Sequence, residues 1–235
     1  MKQRNPFQFK QFTVHQTRAA MPVTTDACIF GVLIDLGEAK TALDVGTGTG
    51  LLSLMLAQRH TNTRFTGIDI DTESLKDAEM NFKESLWTDR LNATHADFLN
   101  WNTPEKFDAI VCNPPFFQNQ LPSTVINKRN ARHSHTLEHE KMVAKMAQML
   151  NPDGQVWLLI PEIHLNDILV YLKENKLHTN YLCSIRPNAA KPVHLTVLMA
   201  GTFQHKTTEQ ELVVYENGML TEQTKNLLSG YYLNS

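Results

Sequence analysis

The run Ala42-Leu43-Asp44-Val45, followed at once by Gly46-Thr47-Gly48-Thr49-Gly50 and then by Leu51-Leu52-Ser53-Leu54-Met55-Leu56-Ala57, leaves this chain few folds to choose from. A short, mostly apolar run reads as a strand covered on both faces, the kind found in parallel sheets. The glycines supply the freedom of a tight turn, and the apolar stretch after them reads as a helix. Strand, glycine turn and helix form the unit that holds a nucleotide-like ligand at the carboxyl edge of a parallel sheet. The remainder repeats the alternation. Arg64 to Asp69 reads as a strand, another precedes His95, and Phe107 to Cys112 is a further apolar run. Residues Glu140 to Met149 read as a helix with Met142, Val143, Met146, Met149 and Leu150 on one face, stopped by Asn151-Pro152-Asp153-Gly154. Gln155 to Ile160 is a strand and Leu165 to Leu172 a helix. Tyr181 to Ile185 and Leu195 to Ala200 are two strands joined through Arg186-Pro187-Asn188. The pattern predicts an α/β doubly wound sheet with a C-terminal antiparallel strand hairpin.

The spacing of Gly46, Gly48 and Gly50 bears on what the loop can hold. Leu51 occupies the third position of a Gly-x-Gly-x-x-Gly motif, so the longer pattern suited to a dinucleotide pyrophosphate is not met. An acid beside the loop, Asp44, favours a cationic ligand instead. Asp69 closes the next strand about 25 residues further on, roughly the separation at which a carboxylate reaches ribose hydroxyls. Asp71 opens Asp71-Thr72-Glu73-Ser74 and reads as a helix cap. Asp97 is placed to accept from an adenine amino group with Phe98 packing beside the ring; the competing reading is a solvated turn acid and a core aromatic.

Cys112-Asn113-Pro114-Pro115-Phe116-Phe117 follows the strand from Phe107 and so falls at the same carboxyl edge. The prolines hold φ near −65° and remove N–H donors, leaving the carbonyls of the stretch free to accept. The side-chain oxygen of Asn113 and a backbone carbonyl near Pro114 would each take one N–H of a planar amine and aim its lone pair. Phe116 would stack on the ring that bears the amine, a contact worth ~1–3 kcal/mol. No general base is needed, because such an amine becomes acidic only after it is alkylated. The glycine loop and the Asn-Pro-Pro-aromatic stretch together predict an N-methyltransferase using S-adenosylmethionine, with Asn113 at the junction of cofactor and acceptor.

Composition narrows the setting. With 235 residues the chain can bury one good core. No run approaches the ~20 apolar residues of a membrane span, and the first residues lack the apolar stretch of a signal peptide, so a cytoplasmic protein is expected. Cys28, Cys112 and Cys183 are too few and too irregular for a disulfide framework or a zinc knuckle and are expected to be reduced and buried. His135-Thr136-Leu137-Glu138-His139 matches a short zinc-protease pattern, but the methyltransferase core already accounts for its surroundings, and no metal is expected. Net charge is −2, so any nucleic-acid face must come from clustering. Lys2, Arg4, Lys10 and Arg18 are interleaved with Phe7, Phe9 and Phe12; Lys128, Arg129, Arg132 and His133 follow the Asn-Pro-Pro stretch; Lys176, Arg186, Lys191 and Lys206 lie in a third stretch without acids. Lys10, Arg18, Arg129, Arg132, His133, Arg186 and Lys191 are the expected RNA contacts. No obligate protein partner is evident.

Phe9-Lys10-Gln11-Phe12, Arg18-Ala19-Ala20-Met21-Pro22-Val23-Thr24-Thr25-Asp26, the Asp44–Gly50 loop, Asn113-Pro114-Pro115-Phe116, Ala131-Arg132-His133 and Glu211-Leu212-Val213-Val214-Tyr215 together resemble bacterial tRNA adenine-N6 methyltransferases that modify the adenosine beside the anticodon of a valine tRNA. The resemblance runs nearly end to end. It implies a class I, Rossmann-like methyltransferase fold over 31–235, an N-terminal cap over the site within 1–30, a lid drawn partly from residues 9–26, and transfer to N6 of an adenine in a tRNA anticodon loop. Thr17, Thr24 and Ala27 depart from that pattern. Two rival enzymes share the Asn-Pro-Pro-aromatic chemistry: a release-factor glutamine N5-methyltransferase and an rRNA guanine-N2 methyltransferase. The first usually has Tyr where Phe116 stands, and the second a His where Phe117 stands. A cofactor-binding RNA chaperone is the non-enzyme alternative.

Overall fold

A computed structural model describes residues 4–114 and 138–233. Eight strands form one mixed sheet: β3 (Thr41–Val45), β4 (Arg64–Asp69), β5 (Leu91–His95), β6 (Phe107–Cys112), β7 (Leu150–Pro161), β8 (His178–Arg186), β9 (Leu195–Gly201) and β10 (Thr208–Val213). Their order across the sheet is β10-β8-β9-β7-β6-β3-β4-β5. Strands β5, β4, β3, β6 and β7 run parallel, whereas β9 is antiparallel to both β7 and β8. The expected doubly wound sheet and its antiparallel pair are therefore present, with β9 inserted between β7 and β8. Strand β10, parallel to β8 at the edge, was not anticipated. Its residues are mostly exposed, so it lacks the apolar run that marks a covered strand.

Helix α1 (Thr25–Leu33) and helix α2 (Leu51–Arg59) pack together on one face of the sheet. α2 is buried over Leu51 to Ala57 because the sheet lies on one side and α1 on the other, which explains why its sequence is apolar all round. α3 (Thr72–Glu84) covers β4 and β5, with Asp71 accepting from the N–H groups of Glu73 and Ser74 as its N-cap. On the opposite face, α4 (138–149) sets Val143, Met146 and Met149 into a second core with Phe107, Ile110 and Leu158, beside α5 (Glu162–Glu174). Each such side chain contributes roughly 1.5–3 kcal/mol through its removal from water. The stop expected at 151–154 lies within β7 as an irregularity: Asp153 takes φ 61°, and the register against β6 jumps between Phe107 and Ala109.

The N-terminal segment belongs to the core on the face of α1 and α2. A two-residue hairpin pairs β1 (Phe7–Gln8) with β2 (Thr13–Val14), and Phe9 bridges to Tyr232 near the far end of the chain. Phe9 stacks on Phe12 at 4.5 Å, Phe12 meets Trp87 edge-on at 5.8 Å, and Phe7 and Phe9 lie against Tyr232. Phe9 and Phe12 are buried, so these aromatics are packing groups and not an open stacking platform for bases. β11 (Tyr215–Glu216), β12 (Met219–Leu220) and α6 (Glu222–Leu228) complete the fold. Cys28, Cys112 and Cys183 are free and buried.

Candidate active site

Parallel pairing sets the ends of three neighbouring strands level. Val45 pairs with Ile68 on one side and Cys112 on the other, and Asp69 pairs with His95. Gly46, Asp69 and Asn113 thus emerge side by side at the carboxyl edge, with adjacent strands about 4.8 Å apart.

The glycine loop is held from below by its neighbours. The N–H groups of Gly46 and Thr47 donate to the carbonyl of Ile68, each at 2.9 Å. The N–H of Gly48 donates to Asp69 Oδ2 and that of Asp71 to Asp69 Oδ1, both at 2.8 Å. Asp69 therefore spans the loop and the start of α3, with lone pairs to spare for a ligand hydroxyl. Gly46, Gly48 and Gly50 all have positive φ, at 70°, 56° and 79°. A Cβ on Gly46 would meet nothing within 4 Å, and one on Gly48 only the Gly46 carbonyl at 3.9 Å. Space therefore lies open in front of the first two glycines, where a ligand can approach the backbone closely.

Asp44 sits beneath this space, 1% exposed. Its Oδ2 accepts from the hydroxyls of Thr47 and Ser53 at 2.8 Å each, while Oδ1 is buried with no hydrogen-bond partner among the described residues. Burial pushes its carboxyl up to about 6 despite those two hydroxyls. An orphaned buried carboxylate oxygen under an open glycine loop suits a cationic ligand, and S-adenosylmethionine meets that requirement.

Asn113 and Pro114 are half-buried at the end of β6. Cys112 is a core residue whose thiol burial pushes far up, leaving it inert. Pro115, Phe116, Arg129, Arg132, His133 and His135 lie outside the described residues. Asp97 accepts from the N–H of Leu99 at 3.1 Å and from Asn100 Nδ2 at 2.6 Å, so its carboxylate organises its own turn. Phe98 is buried in the second core, with the Lys145 ammonium 5.6 Å from its ring centre.

Of the remaining expected RNA contacts, Lys10, Arg18 and Arg186 have intramolecular side-chain partners. Lys10 Nζ donates to the Ser229 carbonyl at 2.7 Å. Arg18 pairs with the fully buried Asp77 at 3.1 Å. Arg186 pairs with Glu211 at 3.0 Å and donates to the carbonyl of Lys191, whose own side chain is exposed. Arg186 and Lys191 lie at the carboxyl edge of β8, on the same side of the sheet as Asn113 but beyond β7 and β9. Among the described residues no cluster of three His, Cys, Asp or Glu is arranged to hold a metal. His139 packs edge-on against His164 at 5.0 Å.

Asp77 and Asn81, buried polar residues that reach the N-terminal segment and the glycine loop, carry no signal in the sequence beyond membership of a helix. Their partners are 59 and 32 residues away.

Comparison with known proteins points the same way. The methyltransferase small domain family matches residues 30–174. The tRNA1(Val) (adenine(37)-N6)-methyltransferase of Vibrio vulnificus is 34% identical over 97% of this chain and 95% of its own length. The protein of the same description from Shewanella loihica is 36% identical over 87% of each chain. Among solved structures, a protein of Agrobacterium tumefaciens described as a predicted O-methyltransferase superposes with a TM-score of 0.66 at 15% identity, covering 87% of this chain and 95% of its own. A methyltransferase from Pyrococcus furiosus superposes at 0.57 with 17% identity, covering 77% and 84%. These structures share the fold.

Proposed function

This chain belongs to the tRNA1(Val) (adenine(37)-N6)-methyltransferase family, and from that premise we propose the residues through which it works. It is an S-adenosylmethionine-dependent methyltransferase that acts on N6 of an adenine in tRNA. The observation that carries the assignment of roles is the alignment of Gly46, Asp69 and Asn113 on three adjacent strand ends.

The cofactor supplies an electrophilic methyl group on a positively charged sulfur. Asp44, Gly46, Gly48 and Gly50 form its cradle, with Asp44 complementing the charge, and Asp69 accepts from ribose hydroxyls. Asp97 and Phe98 border the adenine end. Asn113 Oδ1 and the carbonyl at Pro114 accept the two N–H groups of the target amine. That draws the amine out of conjugation and frees its lone pair before transfer. Pro115 keeps the stretch free of competing donors, and Phe116 stacks on the target ring. Adenine in an anticodon loop suits this arrangement, since an unpaired base is splayed out at low cost.

Residues 1–30 are assigned as a cap over the site, and residues 31–235 as the S-adenosylmethionine-dependent methyltransferase domain. For tRNA, Arg129, Arg132 and His133 are the leading contacts, followed by Lys191 and Arg186 at the sheet edge. Lys10 and Arg18 have partners within the protein and would join only by exchanging them. No helix among the described residues is long and apolar enough to cross a membrane, and a tRNA substrate is met in the cytoplasm. Nucleoside mass spectrometry after incubation with S-adenosylmethionine and unmodified tRNA tests the reading. N6-methyladenosine in the anticodon loop is expected; N2-methylguanosine in rRNA or methylglutamine in a release factor would transfer the assignment to one of the rivals.

A further inference from the structure

Three buried polar side chains on one face of α3 each bond to residues outside that helix. Ser74, Asp77 and Asn81 are 3%, 0% and 1% exposed, and their spacing of three and four residues puts them on a single stripe. Asp77 Oδ2 accepts from the backbone N–H groups of Arg18 at 2.7 Å and Ala19 at 2.9 Å, and its Oδ1 accepts from Arg18 Nη1 at 3.1 Å. Ser74 Oγ accepts from the N–H of Ala20 at 3.2 Å. Asn81 Oδ1 accepts from the N–H of His15 at 2.8 Å, while its Nδ2 donates to the carbonyl of His15 and to that of Thr49, each at 2.9 Å.

Thr49 is part of the glycine loop. One buried carboxamide therefore holds the loop and residue 15 at once, and the stripe fastens residues 15–20 along α3 up to its first turn, immediately after Asp69. Apolar side chains at these positions would pack more cheaply, because burying a carboxylate costs more than most of its contacts return. What the polar stripe provides is a defined seat: its acceptors take the backbone N–H groups of His15, Arg18, Ala19 and Ala20, in a segment that has no sheet or helix to satisfy them.

We propose that Asn81 is a positioning residue for cofactor binding, and that residues 15–20 are a strap whose seating on Ser74, Asp77 and Asn81 is coupled to the glycine loop. The proposal rests on the assignment of residues 44–50 and Asp69 to the cofactor. Cofactor bound to the loop fixes the Thr49 carbonyl, and through Asn81 it fixes the strap. By reciprocity, loosening the strap weakens cofactor binding by the same factor.

Asn81→Asp is the discriminating variant, since it keeps the size and the Oδ1 acceptor but removes both donated bonds. It should raise the Kd for S-adenosylmethionine by roughly tenfold. It should also abolish the slowing of hydrogen exchange at the His15, Arg18 and Ala19 amides that the cofactor induces in the parent. A purely structural role would lower the melting temperature while leaving the Kd of the folded protein and the cofactor-induced protection intact; that result overturns the proposal. If Asn81→Asp does not fold, Arg18→Gln, a change at an exposed side chain, decides the point. A severalfold weaker Kd with faster exchange at Arg18 and Ala19 supports the strap, and parental values overturn it. Asp69→Ala measured alongside separates the two levels. If it loses affinity while the strap variants keep theirs, only the strap falls; if it binds like the parent, the cofactor-site assignment falls with it.

Discussion

Asp44 is a residue whose chemistry the tertiary structure alters. Burial holds its carboxyl up to about 6, with Asp69 adding to the push and the Ser53 and Thr47 hydroxyls opposing it. A cationic cofactor held next to Oδ1, as proposed, would stabilise the ionised form, so the bound state would have the lower pKa and binding would release a proton. Affinity for S-adenosylmethionine should accordingly rise as pH climbs towards about 6 and level off above it. Calorimetry across that range checks this, and a pH-independent Kd in the parent protein would contradict it. Asn113 and Asp69 separate binding from chemistry. Asn113→Ala should lower turnover by ~10²-fold with cofactor affinity little changed, as for the loss of one preorganised polar contact. Asp69→Ala should instead weaken cofactor binding by roughly 1–3 kcal/mol, since the Gly48 and Asp71 N–H groups lose their acceptor as well. Single-turnover rates and calorimetry on the two variants distinguish these outcomes.

The glycine loop and α2 act as one element. Gly50 is the N-cap of α2 with φ 79°, and a Cβ there would lie 2.3 Å from Phe82 Cε1 on α3. Gly50→Ala should therefore destabilise the protein by roughly 2–4 kcal/mol, combining left-handed backbone strain with overpacking. Thermal unfolding of this variant against Gly37→Ala, which has positive φ but nothing within 4 Å of its Cβ, isolates the steric part. Most elements around the loop were legible in the chain because each carries a local signal. β3, β4 and β6 are short covered runs, and Asp71 caps α3 with the residues that follow it. β10 and the hairpin of β1 and β2 carry no such signal. β10 pairs with β8 far back in the chain and its exposure hides the alternation, while β1 and β2 are two residues each, too short for any alternation to show.

At the scale of the whole molecule, the two ends of the chain close against each other. The N–H of Lys10 donates to the Tyr231 carbonyl at 2.8 Å, and the Tyr231 hydroxyl donates to the carbonyl of Met55 in α2 at 2.7 Å. Tyr231→Phe should cost about 1 kcal/mol through loss of that buried bond. A denaturant midpoint equal to the parent's would show the contact to be energetically idle. Arg132→Glu, a reversal within the basic stretch after the Asn-Pro-Pro motif, should weaken tRNA binding and flatten its salt dependence while leaving the Kd for S-adenosylmethionine unchanged. The sequence by itself determined the parallel sheet and the glycine loop, and it carries the reading of Asn113-Pro114 proposed above, because periodicity, turn residues and the donor and acceptor inventory are properties of short stretches. The tertiary structure alone decided which charges and rings are free. Phe9 and Phe12, which alternate with cations in the chain, went into the core against Trp87 and Tyr232. Arg18 went to Asp77, and the carbonyl of Thr49 to Asn81. Those outcomes depend on contacts between residues far apart in sequence, and a buried partner is visible only once the chain has closed around it.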